Sequence, residues 1–444
     1  MMEKLAIGFG RGDITPEGPT RMNSQLTGVE VWHRLHANVL YFSGEEDRAV
    51  VIILDVRELY PAFIDPIRER IGEIAGVTKE KVTFATTHNH SSPDVSACTY
   101  DESVKNWMEK IGHPAILQAV KDAVADAKPV TGMVGGTAIS DKVSFVRRYQ
   151  LEDGTWKGIA TANPSQSPLV AHESDPDLEM RVVRFTREGG KDVILMNYQV
   201  HAAGALSLFR DKLNADFCGE MRDTVEEATG GLAVYLQGAC GNTNNFTRLP
   251  EEKETEKRDY RELGISLAKT ALQALENAQP LAMGKLKTRF TAYMGNVNHT
   301  LDHLAPRAIE IGEMTDPEEI KQAMKEAGIN NRYERGGIVS RSRMPAQLPA
   351  ELTSIAIGDF AMAFCPHEMF DILGKRLRAV SPYKMTFPCN YASYYRGYMP
   401  AHQMVPHGEY EVNMCWYIPG TGESEILALA AQLQEMKREE NRCL

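Results

Sequence analysis

No apolar run in this chain approaches the ~20 residues that a membrane-spanning helix requires. The longest, residues 49–54 (AVVIIL), is the length of a strand, so membrane insertion is excluded. Basic stripes and Lys/Arg clusters are missing and the formal net charge is −11, which argues against a nucleic-acid partner. The first residues lack the charged segment and long apolar stretch of a secretory leader. Cysteine occurs seven times but never as a CxxC pair; that excludes a disulfide framework and reads as free thiols in a reducing, cytoplasmic setting. No heptad array, low-complexity tract or flexible linker marks a boundary, so a single domain over 1–444 is expected. Nothing in the sequence signals an oligomeric state.

What is there is ordinary globular composition, 43% hydrophobic and 25% charged over 444 residues, enough for a large core. Residues 49–54 read as a strand buried on both faces. Apolar spacing predicts a helix over 64–75, and 81–85 (KVTFA) a second strand that runs into the polar stretch 86–93. A helix follows over 113–127, then Lys128-Pro129-Val130 and a strand over 133–140. The same order returns later: strand 193–200, helix 217–228, strand 232–236 with the polar loop 237–244, helix 263–278, Gln279-Pro280-Leu281, strand 285–291. The halves, near 45–140 and 190–292, are consistent with an internal duplication or with chance agreement. Two connecting regions, 141–180 and 298–344, look irregular; the first holds a hairpin-like Glu152-Asp153-Gly154 and an Asn163-Pro164 loop. A hairpin over 352–364 turns at Gly358-Asp359, and helices are expected over 369–379 and 424–439. The fold class is α/β: two related sheet-plus-helix halves forming one layered catalytic unit.

Thr87-His88-Asn89-His90 is the strongest local signal. Histidines at i and i+2 share a side if the chain stays extended, and in α/β proteins ligands gather at the carboxyl ends of strands. The residues alone leave open that one of them is a cap or a solvent residue. His201, after the strand at 193–200, reads as the second-half match of His88. Glu368 stands between a hairpin strand and a helix, where the helix dipole alone would favour a carboxylate. Tyr391, Tyr394, Tyr395 and Tyr398 crowd one segment, as core or interface tyrosines also do. Asp55 either orients a ligand or ends its strand.

In order, these motifs resemble the neutral (alkaline, non-lysosomal) ceramidases. Gly10-Arg11-Gly12-Asp13-Ile14-Thr15-Pro16 is similar to their GRADIT opening, Thr87-His88-Asn89-His90-Ser91-Ser92-Pro93 to THTHSGP, and Val200-His201-Ala202-Ala203 to the segment of their second metal histidine. Asp216-Phe217-Cys218-Gly219 resembles DFPG, Pro366-His367-Glu368-Met369-Phe370 resembles PGEF, and Tyr395-Arg396-Gly397-Tyr398 with Tyr410-Glu411 resembles YxxY…YE. The resemblance implies Zn2+ held by His88, His201, Glu368 and Tyr395, with Tyr398 as the alternative tyrosine. These are N and O donors that suit zinc, and zinc-bound water with a pKa near ~7 attacks an amide carbonyl. By the same analogy His90 is catalytic, stabilising the oxyanion or protonating the leaving amine. Arg147 and Arg148 are candidate substrate contacts, as is Tyr398; surface ion pairing is the alternative for the two arginines.

The departures shape the expected substrate. Asn244 stands where the family has a serine at the reaction centre, and an amide donates to an oxyanion but cannot be a nucleophile. The chain ends soon after Tyr410-Glu411, without the family's C-terminal immunoglobulin-like domain. The expected function is zinc-dependent hydrolysis of the amide bond of a small-molecule acyl-amide in preference to long-chain ceramide. The alternatives are a zinc esterase or lactonase, and a binding protein that keeps the metal without turnover.

Overall fold

The computed structural model describes residues 5–159, 161–162, 167–257 and 259–442; the expected Asn163-Pro164 loop lies outside them. Its main sheet uses β1 (Ala6–Asp13), β2 (His36–Ser43), β3 (Arg48–Leu54) and β4 (Val82–Thr86), with helices α1 (Pro61–Ala75) and α2 (His113–Ala125). It continues with β5 (Lys128–Ile139), β6 (Glu179–Arg187), β7 (Val193–Tyr198) and β8 (Leu232–Gln237), with α3 (Asp216–Thr229) and α4 (Tyr260–Glu276). The strand order is β8-β7-β6-β5-β1-β2-β3-β4. Only the outer pairs, β3/β4 and β7/β8, are parallel, as their helical crossovers α1 and α3 require.

Each half therefore has the same order and the same pairing senses, and the two meet where β1 pairs antiparallel with the start of β5. A pseudo-twofold relates them within one continuous sheet. The repeat begins earlier than the sequence pattern, because β1, β2 and β6 are strands that apolar patterning did not mark. In β1 the reason is local. Gly8, Gly10 and Gly12 alternate along one face, where α2 presses its backbone: a Cβ on Gly10 would lie 1.9 Å from the Ala119 carbonyl oxygen. Glycine weakens the strand signal but permits the contact. In the second half Gly136 of β5 meets the Ala274 carbonyl of α4 at the same 1.9 Å.

A second sheet, β9 (Leu286–Asn296), β10 (Gln347–Ile357), β11 (Phe360–Phe364) and β12 (Met385–Cys389), packs on the other face. α5 (Asp371–Val380) and α6 (Thr421–Arg442) cover it. The chain is thus layered helices, sheet, sheet, helices. Alternation along β2 shows why: Val39 and Tyr41 join the core under α1 and α2, whereas Leu40 and Phe42 join Ile355, Phe360 and Phe387 between the sheets. The region 141–180 holds a small three-stranded sheet with its hairpin at Gly154 (φ 82), and 298–344 holds helices over Ala305–Glu313, Pro317–Glu326 and Arg332–Arg341. No helix among the described residues is long and apolar enough to cross a membrane.

Candidate metal centre

The eight-strand path curls so that its two edges come together. β4 and β8 meet, and the loop after β12 stitches them: Asn390 N–H donates to the Gln237 carbonyl at 2.9 Å, Ser393 N–H to the Phe84 carbonyl at 2.8 Å. The carboxyl ends of β3, β4, β7 and β8 converge at this seam.

Beyond β4 the chain does not stay extended, as the i, i+2 argument supposed. His88 has φ 58, a left-handed conformation that is strained for a non-glycine residue. The two rings nevertheless converge, because the turn aims both inward. His88 Nδ1–H donates to the Arg57 carbonyl at 2.9 Å, which fixes the tautomer and leaves the Nε2 lone pair free. His90 N–H donates to the Ala202 carbonyl at 3.0 Å, clamping the two histidine loops together. His201 is not the second-half equivalent of His88. It follows β7, the counterpart of β3, while His88 follows β4, and its buried Nδ1 has no hydrogen-bond partner among the described residues.

The three Nε2 atoms form a triangle: His88 to His201 3.1 Å, His88 to His90 3.2 Å, His90 to His201 3.0 Å. His88 and His201 are buried; His90 alone is partly exposed. Among the described residues no other group of His, Cys, Asp and Glu is so disposed. Burial, reinforced by His88 and by the Arg57 and Arg147 charges, holds the His90 ring well below the usual histidine range. His201 is held down by burial, then Arg147 and the other two rings. Neutral imidazoles with their lone pairs turned to one point are the form that ligates a cation.

Glu368 closes the group, with Oε2 3.5 Å from His88 Nε2. A short parallel pairing of Glu368–Met369 with Tyr398–Met399 places it, three residues before α5, whose first turn carries Asp371 instead. Burial pushes the Glu368 carboxyl up, but His88, Tyr395 and Arg147 more than reverse this and hold it below its ordinary value. Tyr395 O–H donates to Oε1 at 2.6 Å and Tyr391 O–H to Oε2 at 3.3 Å. Burial and the Glu368 charge keep the Tyr395 phenol protonated. Tyr398 is turned elsewhere: its hydroxyl accepts from Arg147 at 3.0 Å.

The fold is ceramidase-like. The neutral ceramidase from Pseudomonas aeruginosa matches with a TM-score of 0.71 over 96% of this chain and 74% of that one, at 19% identity. A ceramidase complexed with C2 matches with a TM-score of 0.70 over 98% and 76%, also at 19% identity. No family model and no curated protein matches the sequence.

Both arginines of the 147–148 pair are buried, which rules out surface pairing. Arg147 binds Glu411 at 2.8 Å and the Gly241 carbonyl at 2.9 Å. Arg148 binds Glu173 at 2.7 Å and Glu411 at 3.0 Å. Asn244 is buried beside Phe145, and its side-chain oxygen has no hydrogen-bond partner among the described residues. Among the described residues Asp55 hydrogen-bonds to none of the three clustered histidines; it accepts from the His36 N–H at 3.0 Å and forms a two-pronged ion pair with Arg222, both contacts 2.6 Å. The residues that sequence reading passed over are Arg57, whose carbonyl holds His88 and whose charge bears on His90, and Tyr391. The Tyr391 ring stacks on His88 at 3.8 Å between centroids. Its place in the tyrosine cluster was the available clue.

Proposed function

We propose that this chain is a zinc-dependent hydrolase of an amide (N-acyl) bond. The observation that carries the reading is the triangle of three imidazole nitrogens with Glu368 beside it. Nitrogens around tetrahedral zinc at ~2.05 Å sit roughly 3.3 Å apart, close to the spacing found, and the N/O donor set suits that ion. His88, His201, Glu368 and Tyr395 are the residues that hold it. The Arg57 carbonyl supports the His88 ring from behind, as the second partner of a metal-bound histidine does.

When bound, zinc supplies a Lewis acid and water of lowered pKa. His90, the one partly exposed ring, faces the substrate side. It stabilises the charge that develops on the carbonyl oxygen or passes a proton to the leaving amine. Asn244 offers its amide to the same oxygen. The ceramidase-like fold supports an amide as the bond attacked. Asn244, in the serine position of the resemblance, favours a small soluble acyl-amide over long-chain ceramide.

Elemental analysis of protein purified without added metal should find about one zinc per chain. A short-chain fluorogenic amide should be cleaved with a higher kcat/KM than detergent-dispersed ceramide, and the matched ester serves to separate an esterase. His90→Ala should keep zinc while losing ~10² to 10⁴ in rate. A chain that stays metal-free after zinc soaking, or holds zinc but hydrolyses no acyl substrate, overturns the reading.

A further inference from the structure

A cavity of about 590 Å³ lies between the helical region after β9 and the segment joining the metal-centre tyrosines to α6. None of His88, His90, His201, Glu368 and Tyr395 lines it. Its volume falls within the ~300–1,000 Å³ typical of small-molecule sites. Leu301, Met399, Val412 and Ile418 supply an apolar wall, and Trp156 stacked on His407 at 4.2 Å closes one side.

The cations in this lining are not equivalent. Lys157 is paired with Glu409 at 3.1 Å and His407 with Glu173 at 2.6 Å. Arg341, only 5% exposed, has no carboxylate within ion-pair distance among the described residues. Its Nη1 donates to the Asn413 and Cys415 carbonyls at 2.8 and 3.0 Å. Its Nε and Nη2 donate to no described residue. Burial pulls this guanidinium below its ordinary value, against the weaker pull of Cys415, Glu334 and Asp302. A buried cation met only by carbonyl dipoles is costly unless an anion completes it, and the two unused donors form half of the planar fork that carboxylates match.

We propose that this cavity binds a small organic carboxylate, with the carboxylate on the free edge of Arg341 and the apolar body against Leu301, Met399, Val412 and Ile418. The site is independent of the metal centre and of the reaction assigned to it.

The test is calorimetric titration of the full chain with octanoate, with octan-1-ol as the same body without charge and inorganic phosphate as charge without body. Octanoate should bind, and the other two at least about tenfold more weakly. Arg341→Gln should weaken octanoate about tenfold or more. Arg341 also ties two carbonyls, so Ile418→Glu provides a second arm: this exposed position sets a repelling charge in the lining without touching those ties, and should weaken octanoate similarly. His201→Ala should leave octanoate binding unchanged. Absence of octanoate binding, phosphate binding as tight as octanoate, indifference to Ile418→Glu, or loss in His201→Ala each overturns the proposal; the last would place the acid at the metal centre.

Discussion

The two halves of the main sheet share one topology and contribute differently. In the first half the chain beyond β4 carries two histidines, and the turn after β3 contributes the Arg57 carbonyl that holds His88. In the second half β7 ends in His201, whose buried Nδ1 has no hydrogen-bond partner among the described residues. The two halves supply equivalent strand ends, while the loops decide which of those ends bears a histidine. A second contrast is electrostatic. Asp55, after β3, is buried against Arg222 of α3. Asp216, at the start of α3, is buried, and among the described residues only the Ala205 and Phe217 amides donate to it.

If both halves supply ligands to one cation, His88→Ala and His201→Ala should each remove most of the zinc and ~10⁴-fold or more of the activity. Metal analysis and kcat/KM for the fluorogenic amide check this. A variant that keeps its zinc would show that one half suffices.

Removing one partner of the buried pair should come next. Asp55→Asn is expected to destabilise by ~3–5 kcal/mol at neutral pH. Burial pushes the Asp55 carboxyl up, but Arg222 and His36 hold it below its ordinary value. Its contribution is therefore present above the unfolded carboxyl value of ~3.9 and lost as pH falls below it. Urea unfolding at neutral pH and at mildly acidic pH should show the gap to the unaltered chain persisting, then closing in stronger acid.

Asp216 carries the opposite sign. Burial, unopposed by a cation, pushes its carboxyl up to about 6. The folded chain binds the extra proton first, so this stabilisation is present below ~4 and is lost as pH rises through ~6. Relative to Asp216→Asn, the unaltered chain should gain on the order of 2–3 kcal/mol between neutral and acid pH. Asparagine also tolerates the φ of 49 found here. Parallel unfolding curves of the two chains across that window would contradict the assignment.

The smallest effect tests the symmetry itself. Gly10→Ala and Gly136→Ala each drive a Cβ into a helix carbonyl at 1.9 Å and should each cost ~1–3 kcal/mol, read from urea midpoints. Similar losses would support equivalent helix seats; a neutral Gly136→Ala would break the equivalence.

Much of this was legible from residue order. The buried runs at Arg48–Leu54 and Val193–Tyr198, the amphipathic helices and the hairpin at Gly358 are local patterns of side-chain period and turn chemistry. His88, His90, His201, Glu368 and Tyr395 were nameable because motifs in a fixed order carry donor chemistry. Their geometry was not legible, because it rests on contacts remote in sequence. β1 hides its strand behind glycines that only the approach of α2 explains. Arg147 and Arg148 look alike in a chain of letters, yet one reaches Tyr398 and the other Glu173. Tyr395 and Tyr398 parted only when the short pairing at Glu368 turned one toward the carboxylate and the other toward Arg147. The sequence by itself determined the periods, the turns and the donor types, since these depend on neighbours within a few residues. The tertiary structure alone decided which strand ends meet, because the curling that brings β4 to β8 is a property of the whole sheet and belongs to no single segment.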